Sequence, residues 1–181
     1  GGTYVVTVTD SLNCTAIDSI SIYQATVISV TSTVSNVLCF GDSSGTSSLV
    51  ITGGTAPFSI DFDTADTNAL SAGTYPYTIT DNDGCTFNDS LTVTEPAALS
   101  MDTVITPIYC AGDSTGAINI TANGGTVPYS FSWSSGQSTK DIADLKAGSY
   151  TLTLSDSNSC TDFITVALTD PPAFSISISE D

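Results

Sequence analysis

The sequence contains no histidine and no arginine, and its only basic side chains are those of Lys140 and Lys146. Histidine is the commonest general base and supplies the imidazole of a catalytic triad, so its absence removes the usual hydrolytic sites. Against the two basic residues stand 19 acidic ones, which give a formal net charge of −17. A surface of that sign repels nucleic acids and anionic lipids, because both need cationic contacts. The composition therefore predicts a protein that is not an enzyme and that binds no nucleic acid.

The sequence also lacks long apolar runs and helical periodicity. No stretch approaches the roughly 20 apolar residues that a membrane-spanning helix needs, so we expect no membrane span. Instead, Thr and Ser alternate with Val, Ile and Leu over most of the chain, which is typical of β-strands with one solvated face. We therefore predict a folded, all-β protein with an acidic surface.

Two phrases recur along the chain. The first is Gly-(Thr or Ser)-Tyr, with an Asp six residues after the Tyr and a Cys four residues after that Asp. The second is Cys-x-Gly-Asp-x-x-Gly, followed by a strand and by Gly-Gly-Thr-x-Pro, and it begins at Cys39 and at Cys110. Self-similarity at a period of about seventy residues indicates an array of modules. The three copies of the first phrase start at Gly2, Gly73 and Gly148.

Each repeat consists of about seven short strands separated by Gly, Pro, Asn, Asp and Ser, which is the pattern of an Ig-like β-sandwich. Tyr129, Phe131 and Trp133 alternate with Ser, so we expect them on the core face of one strand. We predict tandem Ig-like β-sandwich modules arranged as a rod. The expected domains are the C-terminal part of a preceding repeat (1–25), two complete repeats (26–96 and 97–171) and the first strand of a following repeat (172–181).

One turn has the residue types of a calcium loop. Asp81 and Asp83 stand two residues apart before Gly84, as at the beginning of an EF-hand loop. No Glu follows where the bidentate ligand belongs, and only the first Asp recurs in the other copies. A hairpin turn is the alternative interpretation. We therefore expect no cofactor, and Asp81 and Asp83 remain the calcium candidates.

The five cysteines predict disulfides rather than a metal site, since none is spaced as Cys-x-x-Cys and no histidine is available. Pairing within repeats would join Cys39 to Cys85 and Cys110 to Cys160, leaving Cys14 for a partner elsewhere. In Ig topology, however, these turns lie at opposite ends of a sandwich, roughly 30 Å apart. A bridge needs Cα atoms within about 6 Å. A bridge between repeats, Cys39–Cys160, is the second alternative, and free thiols are the third.

The combined pattern of these two phrases resembles the SprB-type repeat of Bacteroidota cell-surface adhesins. The resemblance covers both complete repeats and the partial one. It implies a segment of a large, filamentous, type IX-secreted adhesin of gliding bacteria, located on the cell surface. Its implied partners are neighbouring repeats and the motility or secretion machinery. We expect a structural spacer; the alternatives are repeats that bind extracellular polysaccharide themselves, and the stalk of a secreted hydrolase.

The same resemblance implies O-glycosylation, which in exported proteins of these bacteria falls on Asp-(Ser or Thr)-apolar or Asp-(Ser or Thr)-Thr triplets. Composition alone would give roughly two such triplets, whereas the chain has six. The alternative is that Asp-Ser simply suits turns. The candidate hydroxyls are those of Ser11, Ser19, Thr64, Ser90, Thr103 and Ser114.

Overall fold

The structure is a computed structural model that describes residues 1–63 and 66–177. Its regular secondary structure in those residues is entirely β, in thirteen strands, which confirms the all-β prediction. None of the described residues forms a helix that could cross a bilayer. Two compact units are present: unit 1 comprises 1–34, 47–67 and 74–92, and unit 2 comprises 35–46, 68–73 and 93–181. The domain boundaries expected from the repeats stay a prediction.

Unit 1 begins with an antiparallel hairpin of two strands, β1 (Gly2–Thr9) and β2 (Thr15–Ile22). Every residue of both strands is exposed. Val6 and Val8 are 56% and 63% exposed, although they occupy the positions of two fully buried leucines in the last repeat. The hairpin thus has the residue pattern of two strands from one sheet of a sandwich. Among the residues described, no second sheet covers it.

The rest of unit 1 forms two small sheets. Four of the strands in these sheets have one end residue that is assigned to unit 2. The second of these sheets has a local edge at Pro76. The short strand Ser59–Asp61 pairs with Thr78–Thr80 and does not extend to Pro76. A proline cannot donate to a β-ladder, so the edge accommodates it. The strands are β3 (Ser29–Ser35) and β4 (Thr46–Thr52) in one sheet, and β5 (Ser59–Asp61), β6 (Gly73–Thr80) and β7 (Thr86–Val93) in the other.

Unit 2 contains a complete sandwich with six strands in the described residues, one fewer than the expected seven. They are β8 (Ser100–Thr106), β9 (Gly116–Asn123), β10 (Ser130–Trp133), β11 (Ile142–Leu145), β12 (Gly148–Ser155) and β13 (Thr161–Leu168). One sheet has the order β11-β9-β8 and the other β10-β12-β13, with antiparallel pairing throughout. In Ig nomenclature these are sheets E-B-A and C-F-G, so the module is an Ig-like β-sandwich.

The core of this sandwich is built from alternate residues of its strands. Ile118 and Ile120 of β9 and Leu152 and Leu154 of β12 are at most 1% exposed. Trp133 is 3% exposed, and its indole Nε1–H donates to the carbonyl of Thr139 at 3.0 Å, which satisfies the buried polar group. The aromatic strand therefore faces the core, as its alternation predicts.

The Gly-Gly-Thr-x-Pro phrase forms the turn between β9 and β10. Gly124 and Gly125 both have positive φ, 67° and 58°. A Cβ on Gly124 would lie 1.9 Å from the carbonyl oxygen of Ala98, so only glycine fits there. The turn continues through a cis peptide bond before Pro128. This path places the backbone N–H of Thr126 beside the turn that carries Cys160.

Candidate functional site

The candidate site consists of the two kinds of cysteine-containing turn that the repeats share. We call the Cys-x-Gly-Asp segments AB turns (Cys39–Asp42 and Cys110–Asp113), since they follow the first strand of a repeat. We call the Asp-x-x-x-Cys segments FG turns (Asp10–Cys14, Asp81–Cys85 and Asp156–Cys160), since they join the last two strands.

The FG turn of the last repeat is organised around a buried carboxylate. Asp156 is 6% exposed, and its Oδ1 accepts hydrogen bonds from the backbone N–H groups of Asn158 and Cys160, both at 2.9 Å. Its Oδ2 accepts a third from Thr126 at 2.8 Å. Burial acts to raise the pKa of Asp156, but the three backbone donors outweigh it and hold that pKa below its ordinary value. The carboxylate therefore fixes the turn and orients Cys160.

The AB turn of the preceding repeat is also held by hydrogen bonds within unit 2. The N–H of Asp42 donates to the carbonyl of Cys39 at 3.2 Å, and the N–H of Gly41 donates to Glu95 Oε2 at 2.6 Å. Gly41 has a φ of 79°, in the region that favours glycine. The Asp and Gly of this phrase thus act as turn formers.

The structure joins these two turns covalently. Cys39 and Cys160 form a disulfide with a Cα–Cα distance of 5.6 Å across a sequence separation of 121. Beside it, the side-chain amide of Asn158 donates to the carbonyl of Leu38 at 3.0 Å and to Thr126 Oγ1 at 3.1 Å. Both cysteines belong to unit 2. Of the pairings weighed from the sequence, the structure therefore contains the one between repeats.

The other three candidate cysteines, Cys14, Cys85 and Cys110, are exposed thiols without a disulfide partner in the described chain. The within-repeat pairs Cys39–Cys85 and Cys110–Cys160 are absent from this structure, since Cys39 and Cys160 bond to each other. Each of these pairs would have to span the length of a sandwich, which is much longer than a disulfide can reach.

The calcium candidates form a hairpin turn of the same design as that of Asp156. Asp81 is 5% exposed; its Oδ1 accepts from the N–H groups of Asp83 and Cys85, and its Oδ2 accepts from Thr55. Burial acts to raise the pKa of Asp81, yet these backbone donors hold it below its ordinary value. Asp83 is exposed. In the described part of the chain, no three His, Cys, Asp or Glu side chains are grouped to hold a metal.

The six candidate glycosylation hydroxyls have different surroundings. Ser11, Ser19, Ser90 and Ser114 are exposed, whereas Thr103 is half-buried in β8. Thr64 lies outside the described residues. Accessibility therefore favours the four serines.

Sequence reasoning missed the role of Asn158. The other FG turns have Asp83 and Leu12 at this position, so no repeated pattern pointed to it. A carboxylate and an apolar side chain cannot donate to a carbonyl, which makes this contact particular to one turn.

Comparison with known families finds the SprB repeat at two segments, residues 31–67 and 103–138. Each matched segment contains an AB turn, while Cys160 and the other FG-turn cysteines lie outside both. The resemblance to SprB-type repeats is confirmed over these segments. It indicates a repeat segment of a cell-surface adhesin with a structural rather than an enzymatic role. Together with the disulfide, it also indicates an extracellular protein. No curated protein sequence matches the chain.

Two solved structures align with the chain at low similarity. One is the C-terminal 282-residue fragment of intimin, in complex with the intimin-binding domain of the translocated intimin receptor, with a TM-score of 0.38 and 17% identity. The alignment covers 92% of this chain and 57% of that one, so the chain spans little more than half of the intimin fragment. The other is the amphioxus IgVJ-C2 molecule, with a TM-score of 0.34, 16% identity and coverage of 93% and 97%.

Proposed function

We propose that this chain is a spacer segment of a filamentous cell-surface adhesin, in which serial repeats hold an adhesive tip away from the cell and transmit pulling force. The matched repeats support a place in such an adhesin. The observation that carries the mechanical role is the Cys39–Cys160 disulfide. It connects two points that are 121 residues apart in sequence and 5.6 Å apart in space, so tension along the chain passes through a covalent bond. The residues between them are protected from extension.

The same proposal includes secretion and surface location. Disulfides persist in oxidising compartments outside the cytoplasm, so the bridge agrees with an exported protein. By resemblance, we propose type IX secretion, attachment to the gliding machinery and neighbouring repeats as partners. Glycans on the exposed Ser11, Ser19, Ser90 and Ser114 would hydrate the segment and shield it from proteases. An intact mass equal to that of the bare polypeptide, for protein purified from its native host, would refute the glycosylation.

A spacer should bind no surface polysaccharide itself. The test is an array of bacterial and algal polysaccharides probed with the purified 181-residue chain. Trp133 fluorescence provides the fold control, because this only tryptophan is buried in the core of unit 2. Absence of saturable binding by folded protein is the expected result. Saturable binding to one glycan would replace the spacer by a direct adhesive role.

A further inference from the structure

Among the described residues, one AB turn and one FG turn are joined by a disulfide, and the other cysteine turns share backbone hydrogen bonds with the joined pair. The AB turn at Cys110 repeats the hydrogen bond of the one at Cys39: the N–H of Asp113 donates to the carbonyl of Cys110 at 3.1 Å, against 3.2 Å for Asp42 and Cys39. The thiol of Cys110 is therefore held in a turn that is already shaped for a bridge.

The residue before each of these cysteines is fixed in the same way. The N–H of Tyr109 donates to Thr115 Oγ1 at 3.2 Å, as the N–H of Leu38 donates to Ser44 Oγ at 3.4 Å. The glycine two residues after the cysteine also has a positive φ in both turns. Matching backbone hydrogen bonds and similar glycine φ values therefore give Cys39 and Cys110 equivalent positions in their turns.

The FG turn at Cys85 likewise repeats the one at Cys160. In each, the N–H of the cysteine donates to the Asp Oδ1, at 2.8 Å for Cys85 and 2.9 Å for Cys160. In each, the residue after the Asp donates its N–H to the threonine carbonyl of the Gly-Gly-Thr turn, at 2.9 Å. Both kinds of turn are thus present in bonded and unbonded form.

The grooves around these turns complete the comparison. A groove beside the disulfide is lined by both turns and by the segment that connects the repeats, including Cys39, Phe40, Ala98, Leu99, Cys160 and Thr161. The groove at Cys110 has the equivalents of the first four, namely Cys110, Ala111, Ala173 and Phe174. It has no FG turn, and Phe174 is 91% exposed whereas its equivalent Leu99 is half-buried.

The groove at Cys85 has the opposite composition. Val27, Ile28, Cys85 and Thr86 line it, and these are the equivalents of Ala98, Leu99, Cys160 and Thr161. It has the FG turn and the connecting segment but no AB turn. The two unbonded grooves are therefore the two complementary halves of the bonded one.

We infer that Cys110 forms a disulfide with the FG-turn cysteine of the repeat that follows it in sequence, and that Cys85 forms one with the AB-turn cysteine of the repeat before it. The repeats would then be linked one to the next by a continuous series of bridges. Each bond forms when two thiols lose two protons and two electrons to a disulfide oxidant, which is itself reduced to two thiols. In vitro, oxidised glutathione serves as that oxidant.

The experiment extends the chain by a repeat that provides an FG turn for the groove at Cys110. A copy of residues 100–174 is joined directly after Phe174, which holds the position of Leu99, so that the register of the repeats is kept. The extension adds copies of Cys110 and Cys160 to the five original cysteines. After oxidation in a mixture of reduced and oxidised glutathione, free thiols are alkylated under denaturing conditions and counted by mass, and a cysteine that carries a glutathione adduct is counted with the alkylated ones, since it has no partner cysteine.

We expect three alkylated thiols, as in the original chain, because the two added cysteines are balanced by one new bridge that removes Cys110 and the copied Cys160. The matched variant Cys110→Ser in the same extended chain should show four, since the copied Cys160 then stays free. Five alkylated thiols, with Cys110 among them, would show that no new bridge has formed in this chain.

A second extended chain keeps the test valid if the copied repeat of the first chain does not fold. It carries residues 29–96 after Phe174, so Cys85 of the copy supplies the FG turn. A peptide that links Cys110 to this second Cys85 is the expected product, and an alkylated Cys110 in both extended chains would overturn the inference. Failure would leave the spacer proposal standing, because that proposal depends on the Cys39–Cys160 bond and on the glycan assay.

Discussion

Reduction of the Cys39–Cys160 disulfide should release a large hidden length when the chain is pulled from its ends. The bridge closes a loop with a sequence separation of 121 and holds its ends 5.6 Å apart. A fully extended chain spans about 3.3–3.6 Å per residue, so the loop stores roughly 400–430 Å of contour length. The residues outside the loop can extend by only about 200 Å on the same scale.

A single-molecule force experiment with handles at both ends measures this length. The oxidised chain is held at constant force until no further unfolding occurs, and a small thiol reductant is then added. One further step of roughly 400 Å is expected. A bridge within a repeat, Cys39–Cys85 or Cys110–Cys160, would instead give a step of about 150–180 Å. The Cys39→Ser variant is the control and should show no step when the reductant is added. A short step in the wild-type chain, or no step at all, would refute the transmission of force through this bond.

Three further predictions concern stability and ion binding. Ile118→Ala empties a fully buried position of unit 2 and should lower the free energy of unfolding by about 2–5 kcal/mol; urea unfolding followed by Trp133 fluorescence measures this, and a loss below about 1 kcal/mol would contradict the packing. Asp156→Asn should destabilise unit 2, because the buried Asp156 carboxylate accepts three backbone donors, whereas Asp10→Asn, which changes the equivalent turn of unit 1, should leave the unfolding of unit 2 unchanged and is the matched control. The pKa of Asp156 is lowered on folding, so its contribution is present above the unfolded value of about 3.9 and is lost as the pH falls through the folded value; urea midpoints that fall equally with acid in the wild type and in Asp156→Asn would contradict this. Calcium should leave the melting temperature unchanged, because both oxygens of Asp81 already accept backbone donors, and a rise that Asp81→Asn abolishes would contradict it.

The core of the complete repeat could be predicted from the sequence because strand periodicity is a strong local signal. Alternation along β9, β10 and β12 identified which side chains are buried, and Ile118, Trp133 and Leu152 are at most 3% exposed. The hydroxyl of Tyr150, from the recurring Gly-(Thr or Ser)-Tyr phrase, donates to the carbonyl of Lys146 at 2.9 Å, four residues away. These outcomes depend on residues near each other in sequence or on one strand face.

The same reasoning was less successful where packing between segments decides the outcome. Ile60 alternates with Phe58 and Phe62, in the same pattern as Phe131 with Tyr129 and Trp133, yet it is 47% exposed. Its strand β5 is only three residues long, so it covers little of the sheet. Alternation predicts which residues share a face, but how much of that face is covered depends on the facing segments.

The two kinds of turn that make up the candidate site could be predicted from the sequence, but the pairing of their cysteines could not. The recurring Asp and Cys marked the two kinds of turn, and the length of a sandwich argued against a bridge between its two ends. Which turn meets which depends on how successive repeats pack, and local patterns contain little information on that. The hydrogen bond from Asn158 to Leu38 illustrates this, since neither residue recurs in the other repeats.

The central claim, that a disulfide joins successive repeats, can be tested on a gel because the chain has only two tryptic sites. Lys140 and Lys146 both lie between Cys39 and Cys160, so complete digestion under denaturing conditions separates the fragments that carry these cysteines unless a bridge holds them. In the Cys110→Ser variant, which removes the alternative Cys110–Cys160 link, fragments 1–140 and 147–181 should migrate together without reductant and separate with it. Separation of the fragments of this variant without reductant would contradict the claim.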